Sequence, residues 1–175
     1  MHDTLWAPWR MQYLRNLEND SDESTAALTD FITEAWAYPD QDQANLVIHR
    51  TSDGLIMLNR YPYSAGHLLV ALGDARGRLM EYDPTQRQAF WSLVDKATEM
   101  VHQTLHPQGV NLGVNEGAAA GAGLPGHLHA HVVPRWFGDV NFMSTTAASR
   151  VIPSTLEAMA EMYRGGESAS IKDAH

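Results

Sequence analysis

Residues 126–136, GHLHAHVVPRW, place a histidine at every second position. Side chains alternate between the two faces of a β-strand, so this spacing predicts a strand with a polar face and an apolar face. The polar face carries His127, His129 and His131, and the apolar face carries Leu128, Ala130 and Val132. A single histidine is usually structural, but three in alternation beside a glycine-rich loop predict a functional site.

Other β-rich runs surround this stretch. Runs near 45–50, 54–59 and 67–72 are separated by turn signals, which predicts an antiparallel meander, and residues 109–115, GVNLGVN, predict a fourth strand. We therefore expect a sheet of about five mainly antiparallel strands.

Three helices are predicted around the sheet. The longest begins with Asp83 as cap, Pro84 in the first turn and Gln86 at capping-box spacing. Its apolar stripe is typical of a core-facing helix and comprises Ala89, Phe90, Leu93, Val94, Ala97, Met100, Val101 and Leu105. A short earlier helix is predicted between a cap at Ser24 and Pro39, and a late one ends at Gly165.

The pattern as a whole predicts an α+β fold, with two main helices and a C-terminal helix on the sheet. We expect a single domain over residues 1–165. It comprises an N-terminal arm and helix (1–44), a core (45–143) and a C-terminal extension (144–165), and residues 166–175 are expected to be a disordered tail.

Composition narrows the function. A net charge of −9 argues against a general nucleic-acid binder, which needs a broad basic surface. The chain has no cysteine, no secretory-type apolar run and no stretch long enough to span a membrane, so we expect a cytoplasmic protein with no membrane partner.

A metal site is one interpretation of the histidine row. Residues at i and i+4 of a strand lie about 13 Å apart, so three rings on a straight strand converge poorly on one ion. A further ligand would have to come from Asp139 or His67. Phosphoryl or nucleotidyl transfer fits the row better, and we predict no metal ligands.

In that interpretation His129 attacks phosphorus while His127 and His131 orient the phosphate and assist charge or proton transfer. Asn115 ends the preceding strand, and the loop after it, EGAAAGAG, has residues small enough for backbone N–H groups to approach phosphate oxygens.

The segment HLHAHVV resembles the His-φ-His-φ-His-φ-φ signature of the histidine triad (HIT) family of nucleotide hydrolases and transferases, where φ is an apolar residue. The resemblance covers residues 45–143, and residues 58–70, LNRYPYSAGHLLV, are similar to the family's upstream strand pair. It implies a homodimer of one antiparallel sheet per chain, a nucleotidylated His129, a ribose contact at Asn59 and support of the triad by His67. The groups implied around the phosphates are Asn115, Gly121, Ala122, Gly123, His127 and His131.

Within the family, residues 120–143 and the opening LWAPWR (5–10) resemble the bacterial diadenosine tetraphosphate phosphorylase and Fhit-like branch rather than the Hint branch. Gly123, Leu124 and Pro125 stand where Fhit and Hint proteins carry Gln, and Hint proteins also Ser, so leaving-group protonation by such a side chain is not expected. Some relatives have a Cys-x-x-Cys zinc site, but the corresponding residues 21–31 contain no cysteine.

Two residues beyond the triad have two interpretations each. Arg135 binds a distal phosphate or forms a surface ion pair, and Trp136 stacks on a base or packs on the sheet. In the predicted site we assign both to substrate binding.

The expected function is cleavage of dinucleoside polyphosphates through a nucleotidyl-histidine, with inorganic phosphate favoured as acceptor. The alternatives are a hydrolase of the same substrates, a Hint-like phosphoramidase, and a nucleotide-sensing module with little turnover. No cofactor is expected to be required, and Mg²⁺ would arrive only with the nucleotide.

Overall fold

An antiparallel five-stranded sheet organises the computed structural model, which describes residues 30–139 and 154–172. The strands are β1 (Val47–Arg50), β2 (Gly54–Leu58), β3 (Leu68–Leu72), β4 (Gly109–Val114) and β5 (His129–Arg135). Their spatial order is β1-β2-β3-β5-β4, and every neighbouring pair is antiparallel. The predicted meander and the α+β class are confirmed.

Within the described residues three α-helices accompany the sheet: α1 (Phe31–Ala37), α2 (Pro84–Leu105) and α3 (Leu156–Lys172). Helix α2 begins as predicted, because Asp83 accepts a hydrogen bond from the Gln86 amide and Pro84 occupies the first turn. Within the described residues no helix combines the length and apolar character that a membrane crossing needs.

Two apolar layers cover the two faces of the sheet. The larger joins the sheet to α2 and α3, and the smaller joins the other face to α1. The larger includes Ile56, Leu58, Leu68, Val70, Phe90, Val94, Val101, Leu128, Ala130, Val132 and Tyr163. The smaller consists of Ile32, Ala35, Val47, Leu55, Met57, Leu69, Ala71 and Leu124, with Trp36 against it. The apolar face predicted for the histidine strand is thus in the larger core.

Two helix ends differ from the prediction. The described cap of α1 is Asp30, whose carboxylate accepts from the amides of Ile32 and Thr33. The predicted cap Ser24 lies outside the described residues. Helix α3 runs to Lys172, past Gly165, so the predicted tail begins inside it. Glycine weakens a helix without forbidding it, and the residues after Gly165 include no proline to stop it.

Candidate functional site

The three histidines become more exposed along the chain. His127, just before β5, is 0% exposed and His129 is 5% exposed, whereas His131 is only half-buried. In the strand, His129 pairs with Ala71 and His131 with Leu69, and directly paired residues project to the same side. The histidine face is therefore the face that carries α1, which covers its upstream end.

The ring of His127 is enclosed by protein acceptors. Its Nε2 lies 2.7 Å from the Leu72 carbonyl oxygen, and its Nδ1 lies 3.0 Å from Oδ2 of Asp30. A doubly protonated ring donates to both groups. The direct phosphate contact predicted for His127 does not fit this position, because neither nitrogen faces open space. His127 contacts His129 through its backbone carbonyl and not through its ring.

His129 is held in one tautomer. Its Nδ1 lies 2.8 Å from the His127 carbonyl oxygen, which can only accept, so Nδ1 carries the proton. In the neutral ring Nε2 then has the lone pair. Burial lowers the pKa of His129, with an opposing effect of its bond to the carbonyl and a further lowering by His127. The ring is thus kept neutral, with a nucleophilic Nε2.

A chain of hydrogen bonds fixes the tautomer of His131. The Tyr63 amide donates to Nδ1 of the fully buried His67 at 3.1 Å, so His67 carries its proton on Nε2. That nitrogen lies 3.0 Å from Nδ1 of His131 and donates to it. The proton of neutral His131 is therefore on Nε2. His67 thus contacts the triad through this hydrogen bond, and its predicted role as a support of the triad stays a prediction.

His131 stays uncharged at neutral pH. Burial, helped by the nearby His129, lowers the pKa of His131 to about 4. The rings of His129 and His131 meet edge to face with centroids 5.1 Å apart, and Tyr63 stacks over His131 at 5.8 Å. The pair offers one nitrogen lone pair, on His129, and one N–H donor, on His131.

Asn59 is engaged with its own loop. Its side-chain oxygen accepts from the Tyr61 amide at 2.9 Å, and its Nδ2 lies 3.3 Å from Nδ1 of His67. This loop is fixed to β5 by Ser64, whose hydroxyl donates to the Pro134 carbonyl at 2.6 Å. Asn59 thus braces His67, and its predicted ribose contact stays a prediction.

Asn115 lies directly after β4 and braces the glycine-rich loop. Its Nδ2 lies 3.4 Å from the Gly121 carbonyl oxygen. The amides of Gly121 and Ala122 donate to the carbonyls of Ala118 and Gly117 within a tight turn. A phosphate that used these two amides would displace turn hydrogen bonds. Gly121 and Gly123 are exposed, so the loop is accessible to an anion.

Arg135 is paired within the protein. Its Nε and Nη2 donate to the Asp139 carboxylate at 2.6 and 2.9 Å, and its Nη1 donates to Asn111 at 2.8 Å. The hydrogen bond from Arg135 lowers the pKa of Asp139 to about 2. This is the ion-pair interpretation that the sequence leaves open. Trp136 is half-buried, and its amide also donates to Asp139.

The sequence analysis does not predict three residues that contact the site, namely Asp30, Thr33 and Tyr63. Asp30 and Tyr63 lie more than sixty residues before the triad, and neither belongs to a local motif that announces the contact. Aspartate is a common residue before a helix, but this preference indicates a helix start and not a partner for His127. Among residues 30–139 and 154–172, no three His, Asp or Glu side chains are grouped to hold a metal ion.

Comparison with known proteins relates this geometry to a family. A family model described as HIT domain matches residues 40–138. The chain is 36% identical over 154 residues to a Mycobacterium tuberculosis H37Rv protein named AP-4-A phosphorylase, covering 87% of this chain and 77% of that protein. A Zn-bound histidine triad family protein from Mycobacterium smegmatis has a TM-score of 0.61 at 22% identity, covering 82% of this chain and 99% of that one. Plasmodium falciparum diadenosine triphosphate hydrolase has a TM-score of 0.57 at 16% identity, covering 74% and 78%. At these identities the two solved structures support the fold alone.

Proposed function

The chain belongs to the HIT domain family, and on this premise we propose that it is an enzyme that splits dinucleoside polyphosphates through a nucleotidyl-histidine at His129. The observation that carries the proposal is the bond from His129 Nδ1 to the His127 carbonyl, which leaves Nε2 as a neutral nucleophile. The relative named AP-4-A phosphorylase supports this substrate class.

The first displacement uses His129 and His131. Nε2 of His129 attacks the phosphorus next to one nucleoside, an N–P bond forms, and the bond from phosphorus to the bridging oxygen breaks. With diadenosine tetraphosphate the leaving group is ATP, and AMP stays on the histidine. His131 donates from Nε2 to a phosphoryl oxygen where negative charge develops.

The second displacement frees the enzyme. An oxygen of inorganic phosphate attacks the same phosphorus, the N–P bond breaks, and ADP leaves with His129 neutral again. We favour phosphate over water because a relative that matches 87% of this chain is a phosphorylase by name and because the exposed loop with Gly121 and Gly123 can admit a second anion. No cofactor held by the protein takes part, and the active form is a homodimer.

Labelled phosphate tests the acceptor. Incubation of the full chain with diadenosine tetraphosphate and excess ³²P-phosphate is expected to give ATP and labelled ADP in equal amounts. Unlabelled AMP in place of ADP would make the enzyme a hydrolase. Turnover of nucleoside phosphoramidates with none of dinucleotides would contradict the substrate class, and binding without turnover would make the protein a sensing module.

A further inference from the structure

One carboxylate from outside the histidine strand reaches the triad. Asp30 lies before α1, and its two oxygens are 3.0 and 3.2 Å from Nδ1 of His127, which lies 97 residues further along the chain. Thr33 closes the arrangement, since its hydroxyl donates to Oδ2 of Asp30 at 2.7 Å and lies 3.3 Å from the same ring nitrogen. The carboxylate and the hydroxyl therefore enclose one side of the His127 ring.

The opposite side of the ring is held as firmly. Nε2 of His127 donates to the Leu72 carbonyl at 2.7 Å, at the end of β3. A ring with both nitrogens bonded to fixed groups and no exposed surface has one orientation. The backbone of His127 is fixed with it, and that backbone carries the carbonyl to which His129 donates at 2.8 Å.

We propose that Asp30 is a positioning residue for the nucleophile: by holding the buried ring of His127 it fixes the carbonyl that sets the tautomer and direction of His129. Asp30 touches no substrate and acts only through His127. The inference rests on the proposed role of His129. It also makes α1 part of the catalytic apparatus, since the same carboxylate caps that helix.

The carboxylate itself is in the ionised state that this role needs. Partial burial opposes ionisation, but hydrogen bonds from Thr33 and from His127 outweigh it and lower the pKa of Asp30. An acceptor of full negative charge makes a stronger bond to an imidazole N–H than a neutral amide does. A substitution of Asp30 by Asn removes the charge but keeps the shape and the helix cap. It therefore tests the positioning role separately from helix capping.

The test compares Asp30→Asn with Asp83→Asn in the full chain. Asn is a good helix cap, so both variants are expected to fold. Asp83 caps α2 in the same way, by accepting from the Gln86 amide at 2.9 Å, but it contacts no histidine of the triad. Steady-state kinetics with diadenosine tetraphosphate and phosphate, thermal unfolding, and ¹⁵N NMR of the histidine rings are measured for both variants and the wild type.

We expect Asp30→Asn to lower kcat about tenfold to a hundredfold with KM changed less than about threefold, as for loss of a carboxylate that orients a functional histidine. In the NMR spectrum part of the His129 population should move its proton from Nδ1 to Nε2. Asp83→Asn should keep the wild-type kcat, and the two melting temperatures should agree within about 3 °C.

Equal kcat values in the two variants would overturn the inference, as would a fall in kcat with the His129 ring shifts unchanged. Failure of the proposed function looks different, because the wild type itself would then turn over no nucleotide. The ring shifts of His129 do not depend on turnover, so an unchanged tautomer in Asp30→Asn refutes the positioning role in that case too.

Discussion

Nε2 of His67 lies 3.0 Å from Nδ1 of His131, so a fully buried histidine outside the triad decides which nitrogen of His131 carries the proton. Two successive hydrogen bonds cause this: the Tyr63 amide donates to Nδ1 of His67, and Nε2 of His67 donates to His131. His129 is fixed separately, by the carbonyl of His127. Two independent hydrogen-bond paths therefore produce one lone pair and one donor on neighbouring rings.

The first prediction concerns His67. His67→Leu removes the donor to His131 and is expected to lower kcat about a hundredfold, because a neutral His131 is then free to place its proton on either nitrogen. His67→Gln keeps an acceptor for the Tyr63 amide and a donor for His131, and should retain most of the activity. Equal losses in the two variants, measured by steady-state kinetics, would contradict the donor role.

The second prediction concerns stability at acid pH. The pKa of His131 is about 4 in the folded protein, against about 6.5 in an unfolded chain. Between these values the unfolded state binds more protons, so the free energy of unfolding falls as the pH drops from about 6.5 towards 4. We expect His131 to account for about 1 kcal/mol of loss between pH 7.5 and 5, because solvent screens its half-exposed ring.

Urea unfolding of three proteins measures this effect. His131→Gln should lose less stability than the wild type between the two pH values. His102→Gln, at an exposed position on α2, should behave as the wild type does. A drop that is the same in all three proteins would assign the acid sensitivity to other groups.

The third prediction tests the nucleophile. In His129→Ala we expect turnover to fall at least about a thousandfold, because no other group supplies the attacking nitrogen. Rapid denaturation of the wild type during turnover should trap AMP on the peptide that contains β5, seen by mass spectrometry, and the variant should show none. If mass spectrometry of the wild type finds the AMP adduct on another histidine, that histidine is the attacking residue instead of His129.

The fourth prediction concerns Arg135. Because Asp139 and Asn111 already occupy its guanidinium, we expect Arg135→Gln to change KM for diadenosine tetraphosphate by less than about threefold. Asp139→Asn weakens the pair and serves as the comparison, since it frees the cation for an anion. A tenfold rise of KM in Arg135→Gln would instead show that substrate displaces Asp139.

Local patterns were sufficient to predict most of the fold and the histidine face. The alternating pattern predicted strand β5 and its apolar side. The capping pattern of Asp83, Pro84 and Gln86 predicted the residue at which α2 begins. These features depend on contacts between near neighbours, which a sequence displays directly. Helix α3 was less predictable, because its passage through Gly165 has no local signal.

The electrostatic partners of the triad could not be predicted in the same way. Asp30 meets His127 only because α1 packs on the histidine face, and Tyr63 stacks on His131 only because Ser64 fixes its loop to β5. Alternation also says nothing about how deeply each ring is buried. Alternation alone therefore predicts similar access to phosphate for all three histidines, whereas α1 covers His127 in the structure.

The fifth prediction concerns the homodimer. Of the two edge strands, β1 is partly covered, because Arg164 of α3 donates to the Val47 carbonyl at 2.8 Å. Strand β4 is the more open edge, and its Leu112 is 52% exposed. An open edge with an apolar side chain favours pairing with a second chain.

Sedimentation at micromolar concentration should show a dimer. Leu112→Glu should weaken it at least tenfold, since it places two like charges near one contact. Met80→Glu, at an exposed methionine outside the sheet, is the control and should leave the dimer intact. A wild-type monomer would refute the dimer, and an unaffected Leu112→Glu dimer would place the interface elsewhere than β4.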